Sequence, residues 1–226
     1  FRCAAKSHDE PGLKHLAAKY WRKVVAAAPE DVSAHAWLAS YLEDEGSWRE
    51  ALPHLLFLLD RDERNGELLH RVGTCYLKLD EPEKAVPFYE RYLVFFPQDK
   101  DVIRQLVTMY AGLGEERETL TALDRYFVIE PDPSPGNLRQ AARLYDAAGR
   151  YHDAIPLYRR LLEITPDDSD ILATLARDLL AVGEDDGALK IWADLARISP
   201  DSKAVYRSMM ELLIRLDRRE ELVHVL

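Results

Sequence analysis

Cysteine is almost missing from this chain. Cys3 and Cys75 are the only two among 226 residues. They belong to no CxxC pair and no Cys/His cluster, so neither a disulfide framework nor a zinc site can be drawn from them. Long apolar runs are missing too: no stretch approaches the ~20 residues that cross a bilayer. The amino terminus carries no signal or transit pattern. The sequence holds no G-x-x-x-x-G-K-[ST] loop to cradle a phosphate, no H-E-x-x-H zinc pair and no G-x-S-x-G elbow. Its histidines (His8, His15, His35, His54, His70, His152, His224) are scattered without ligand-like spacing. No enzyme, metal site or cofactor site is therefore expected. Acidic residues exceed basic ones, for a net charge of −10, and that balance disfavours nucleic acid as a partner.

What the chain does have is a period. Pro97, Pro131, Pro166 and Pro200 are spaced 34, 35 and 34 residues apart. Stepping back by the same interval reaches Glu63 and then Pro29. A period near 34 marks stacked helical hairpins, each packing on its neighbours. A hydrophobic content of 47% supplies a continuous core for such an array. With each proline at position 32, units begin near residues 32, 66, 100, 135, 169 and 203. Partial units lie at both ends, so residues 1–226 read as a single array of about six and a half repeats. Phe1 opens the chain and neither end resembles a polar capping repeat, so more of the array is expected to flank it.

Within a unit, positions 4, 7, 8 and 11 share one face of a first helix, and positions 20, 24 and 27 one face of a second. Small residues at positions 8 and 20 let the two helices approach: Ala39/Ala51, Gly73/Ala85, Ala142/Ala154 and Ala176/Ala188. Gly46, Gly114, Gly149 and Gly183 fall at the turn between helices, where a left-handed residue is needed. Pro166-Asp167-Asp168-Ser169 and Pro200-Asp201-Ser202 end one unit and cap the next. Pro53, Pro87 and Pro156 sit just inside second helices and predict a mild bend on the outer face. His35 occupies a core position and is expected to be packed.

These residues resemble the tetratricopeptide repeat (TPR) family, with its small residue at position 8, Tyr at 11, Gly at 15, Ala at 20, aromatic at 24 and Pro at 32. The resemblance covers essentially the whole chain. It implies an all-α, right-handed superhelical solenoid of antiparallel helix hairpins, with first helices lining a concave groove and positions 5, 6 and 9 pointing into it. In this sequence those positions include Arg71, Arg104, Gln105, Arg139, Gln140, Arg143, Arg177 and Arg207. Arginine forks suit carboxylates bidentately. They could instead pair with groove acids such as Glu67, Asp101, Asp146 and Asp170. Chaperone-tail-binding members of the family use Lys at position 5 and Asn at positions 6 and 9, a combination no unit here has. Near the amino terminus Ala36, Trp37 and Ser40 form an apolar patch. Trp37 at position 6 is either exposed there, a candidate anchor for a side chain or a sugar, or packed on the neighbouring repeat.

The expected function is a non-enzymatic protein-protein interaction scaffold whose arginine-lined groove binds an acidic or extended segment of a partner. A second reading comes from a narrower resemblance. The Ala/Leu/Arg-rich repeats, without capping units, are similar to periplasmic TPR arrays of bacterial exopolysaccharide export proteins. Those arrays recruit polysaccharide-modifying enzymes or guide the polysaccharide. In that case the compartment is the periplasm; otherwise the sequence leaves it open. Leu222, Val225 and Leu226 at the carboxy-terminal end predict end-to-end self-association.

Overall fold

The computed structural model of the protein describes residues 11–221. Leu222, Val225 and Leu226, and so the expected self-association surface, lie outside the described residues, as do Cys3, His8 and His224. Twelve helices and no strand occur among the described residues. They are α1 (Pro11–Ala27), α2 (Val32–Asp44), α3 (Trp48–Arg61), α4 (Gly66–Lys78), α5 (Pro82–Phe95), α6 (Lys100–Leu113), α7 (Glu116–Ile129), α8 (Pro135–Ala147), α9 (Tyr151–Ile164), α10 (Ser169–Ala181), α11 (Asp185–Ile198) and α12 (Lys203–Arg215). The chain forms two compact units, Phe1–Ala122 and Leu123–Leu226, with α7 spanning their junction.

The even-numbered helices begin at residues 32, 66, 100, 135, 169 and 203, which are the unit starts read from proline spacing. A capping residue precedes each one. Asp31 accepts from the Ala34 amide at 3.0 Å, Asn65 from Leu68 at 3.1 Å and Asp168 from Ile171 at 3.2 Å. Asp99 does the same for Val102, and Ser134 for Asn137. These oxygens satisfy amides that have no partner within the helix, which fixes where it starts. Ser202 sits at the N-cap of α12 without a side-chain bond.

Each first helix ends in a left-handed residue. Gly46, Gly114, Gly149 and Gly183 take φ of 69, 75, 69 and 81°. The remaining two units use Asp80 and Asp217, at φ 60 and 54°. Aspartate tolerates this conformation better than most residues, because its short polar side chain can bond locally. The turn then returns the chain into the second helix. Where the two helices meet, Ala39, Ala142 and Ala176 of first helices and Ala51, Ala85, Ala154 and Ala188 of second helices are fully buried. In the pair Gly73/Ala85, a Cβ placed on Gly73 would lie 3.1 Å from the Tyr89 ring. The second helix comes that close only because position 8 is empty.

Pro53, Pro87 and Pro156 are the sixth residues of α3, α5 and α9, one turn deeper than the amides that need no partner. The helices run on through all three. Each proline is exposed, so the carbonyl it leaves without a donor can turn to water.

Tyrosines at position 11 stitch one repeat to the previous one. Tyr110 donates to Glu90 at 2.6 Å, and Tyr145 to Asp124 at 2.7 Å. Arg150 also bonds Asp124 at 2.9 Å and lies 4.7 Å from the Tyr145 ring centroid. Cys75 is buried, and burial pushes its thiol up to about 12, so it is an inert core side chain.

His35 is 7% exposed, as expected for a packed residue. Its Nε2 lies 3.0 Å from the Pro29 carbonyl, and its Nδ1 lies 3.0 Å from Nδ1 of His54. A carbonyl can only accept, so His35 carries its proton on Nε2 and receives one from His54 Nδ1–H. His35 also stacks on Phe57, with ring centroids 3.6 Å apart. Burial, followed by the His35 ring, lowers the His54 pKa from 6.5. The unfolded chain therefore takes up this proton at higher pH than the folded one. The stabilisation is present above about pH 6.5 and is lost as pH falls through the folded value. The contribution of His54 to the melting temperature, read as the difference between the parent and His54→Leu, is expected to drop between pH 7.5 and pH 5. Leucine is the residue type that fills the same position at Leu157.

A second expectation concerns Asp80. Replacement by Val puts a β-branched side chain at φ 60° and should cost about 1–2 kcal/mol of unfolding free energy. Asp80→Gly should be tolerated, and denaturant unfolding of the two variants compares them directly.

Candidate protein-binding face

A first helix buries positions 4, 7, 8 and 11 against its partner, which leaves positions 5, 6 and 9 facing outward. Contacts between consecutive first helices show that these outward rows lie side by side. In the first unit Arg71 of α4 reaches back to α2, where Nε donates to Glu43 at 3.1 Å and Nη2 to Ser40 at 3.2 Å. The Arg71 and Glu43 side chains are 22% and 16% exposed, so this pair is well shielded. Glu67 lies 3.7 Å from the same guanidinium. Arg104 pairs with Asp101 at 3.4 Å on its own helix. Gln105 is half-buried, and its Oε1 is buried without a hydrogen-bond partner.

In the second unit Arg139 of α8 donates to Asp168 at 2.9 Å, tying α8 to the N-cap of α10. Arg177 of α10 reaches back to Asp146 of α8 at 2.7 and 2.8 Å. Arg143 and Arg207 are exposed and form no ion pair among the described residues. Gln140 is exposed as well. The six arginines are thus not equivalent. Four are held by the protein's own acids, largely the pairing left open by the sequence, and two present free guanidinium groups.

Trp37 is half-buried rather than exposed. It stacks on Trp21 of α1, with centroids 6.1 Å apart, and on Tyr41 at 5.3 Å. One indole face therefore packs on the preceding helix. Trp21 is itself buried, and its Nε1 lacks a partner.

Asp178 is a site residue that sequence reasoning missed. It is completely buried on α10, where Arg177 Nη2 donates to its Oδ1 at 3.3 Å. Burial, and then the Asp146 carboxylate, push its pKa up to about 6 against the opposing pull of Arg177. The signal was available in the repeat register: position 10 reads Tyr41, Cys75, Met109, Leu144, Asp178 and Leu212, one carboxylate in an apolar row. The His35–His54 contact was legible in the same way. Those residues hold positions 4 and 23, which are Leu69/Phe88 and Leu138/Leu157 in other units.

A raised carboxyl pKa means that the ionised form costs folding free energy at neutral pH, and that the cost is relieved as pH falls through about 6. Asp178→Asn should therefore be more stable than the parent at pH 7.5, on the order of 1–3 kcal/mol. The advantage should vanish toward pH 4. Urea unfolding at the two pH values measures it.

Helix hairpins repeating every 34 or so residues, with small residues where the helices meet, define an all-α repeat protein of the helix-hairpin solenoid class. Two models of the tetratricopeptide repeat match, over residues 38–100 and 145–213, together more than half of the chain. The chain belongs to the tetratricopeptide repeat family. Members of this family act as protein-interaction scaffolds. No curated protein sequence matches the chain.

Among solved structures, the chain is similar to YrrB, described as a TPR protein with an unusual peptide-binding site. The TM-score is 0.58 at 17% identity, covering 84% of this chain and 98% of that one. MamA gives a TM-score of 0.56 at 17% identity, covering 76% and 93%. A complex of Naa15 and Naa10 bound to HypK-THB gives 0.65 at 16% identity over 94% of this chain, which spans 33% of the matched one. Likeness at these identities is likeness of fold.

Proposed function

We propose that this protein is an interaction scaffold that binds an acidic, extended segment of a partner protein on its first-helix face. The observation that carries this reading is the pair of unpaired guanidinium groups, Arg143 on α8 and Arg207 on α12. In the same unit Arg139 and Arg177 are neutralised by Asp168 and Asp146. They shape the wall and keep the local field mixed. Free arginine forks beside them can each take a carboxylate bidentately. A binding face of this kind needs no catalytic group.

Fluorescence anisotropy of a labelled polyaspartate peptide tests the reading. Arg143→Glu combined with Arg207→Glu should weaken binding at least tenfold, at about 1.4 kcal/mol per decade. Arg197→Glu, on the exposed side of second helix α11, should leave it unchanged. Equal affinity in all three proteins would remove the first-helix face as the site.

A further inference from the structure

Two carboxylates and one guanidinium meet at the second unit's face. Asp146 of α8 takes two hydrogen bonds from Arg177, and Asp178 takes a longer one from the same group. With both acids ionised this trio carries one excess negative charge. Asp178 is 0% exposed, and among the described residues no group donates to its Oδ2. Water cannot reach that oxygen, so the carboxylate bears a desolvation cost that Arg177 offsets only in part.

The other helices packed on α10 do not supply a second cation. From α9 the facing group is Tyr158, whose hydroxyl is pushed up to about 12 by burial and then by Asp146 and Asp178. From α11 the buried side chains are Ala188, Leu189, Trp192 and Leu195. On α8, Arg143 lies three residues before Asp146 and acts on the same Tyr158. It is also one of the two free arginines on the binding face.

A proton on Oδ2 resolves the imbalance. The carboxylic acid O–H then has an acceptor in Asp146, while Arg177 neutralises the remaining charge. Burial and the neighbouring carboxylate both raise the Asp178 pKa, which supports this state.

We infer that Asp178 takes up an exchangeable proton beside the Asp146 carboxylate, and that this uptake switches the trio from net negative to neutral, strengthening the hold of this face on an acidic segment. The inference rests on the acidic-segment reading above. Its physical basis is proximity: Arg143 and Asp146 are i, i+3 neighbours on one helix face. A ligand carboxylate at Arg143 therefore feels the excess charge next to it. By linkage, the bound segment must in turn favour protonation of the pair.

The test has two arms. In the first, the side-chain carboxyl carbons of the intact chain are titrated by NMR. Asp178 is expected to titrate near pH 6, whereas Asp178 titrating in the ordinary carboxylate range overturns the proton uptake. In the second, anisotropy of a polyaspartate peptide, which stays ionised throughout, is measured at pH 7.5 and 5.5. The parent should bind about five-fold tighter at the lower pH, the effect expected of one nearby charge. Asp178→Asn should bind at pH 7.5 as the parent does at 5.5 and lose most of the dependence. Asp178→Leu, the side chain of position 10 at Leu144 and Leu212, should behave the same way. A dependence that survives in both variants overturns the regulation alone. No binding at either pH overturns the acidic-segment reading, and the regulation with it.

Discussion

Everything in this fold depends on how near two helices of a hairpin can stand. A side chain of one carbon, or none, faces another at Ala39/Ala51, Gly73/Ala85, Ala142/Ala154 and Ala176/Ala188, and these alanines are fully buried. At the Gly73 pair the gap is filled by the Tyr89 ring, which leaves no room for a methyl group without displacement. Close pairing fixes the rotation of the first helix about its axis. That rotation decides which residues are core and which face outward. N-cap oxygens at Asp31, Asn65 and Asp168 set where each first helix begins, and left-handed residues set where it ends.

The outward rows are governed by electrostatics rather than packing. Charged groups on neighbouring first helices find each other wherever side-chain length allows, as in Arg71–Glu43 and Arg177–Asp146. Exposed pairs on this face, such as Arg104–Asp101, contribute little to stability. Their main effect here is to determine which guanidinium groups remain available. Asp178 is the exception, because its charge is buried in a position built for an apolar side chain.

Much of the fold is legible in the sequence. Proline spacing places all six first-helix starts, and four glycines mark four of the left-handed turns. Asp80 and Asp217 occupy the same register position without announcing a left-handed turn, because aspartate is equally at home in ordinary turns. His35 is legible as core, but its bond to His54 depends on the facing of positions 4 and 23 across the hairpin, which a search for ligand spacing along the chain does not detect. The arginine row is legible as a row, though not its pairing. Which acid an arginine selects depends on the angle between neighbouring helices, and single residues do not encode it. For Trp37 the sequence leaves exposure and packing both open, and Trp21, on the helix before it, offers the aromatic surface on which it stacks. No residue speaks to an exopolysaccharide pathway, because a solenoid's role in a pathway lies in its partners.

The central claim is that recognition occurs on the first-helix face, at the arginines the protein does not itself neutralise. The most direct measurement is an amide chemical-shift map of the isotopically labelled chain as a polyaspartate peptide is added. The account predicts shifts concentrated on α8, α10 and α12, around Arg143 and Arg207. Shifts concentrated on the second helices α9 and α11, with the first helices silent, would contradict it.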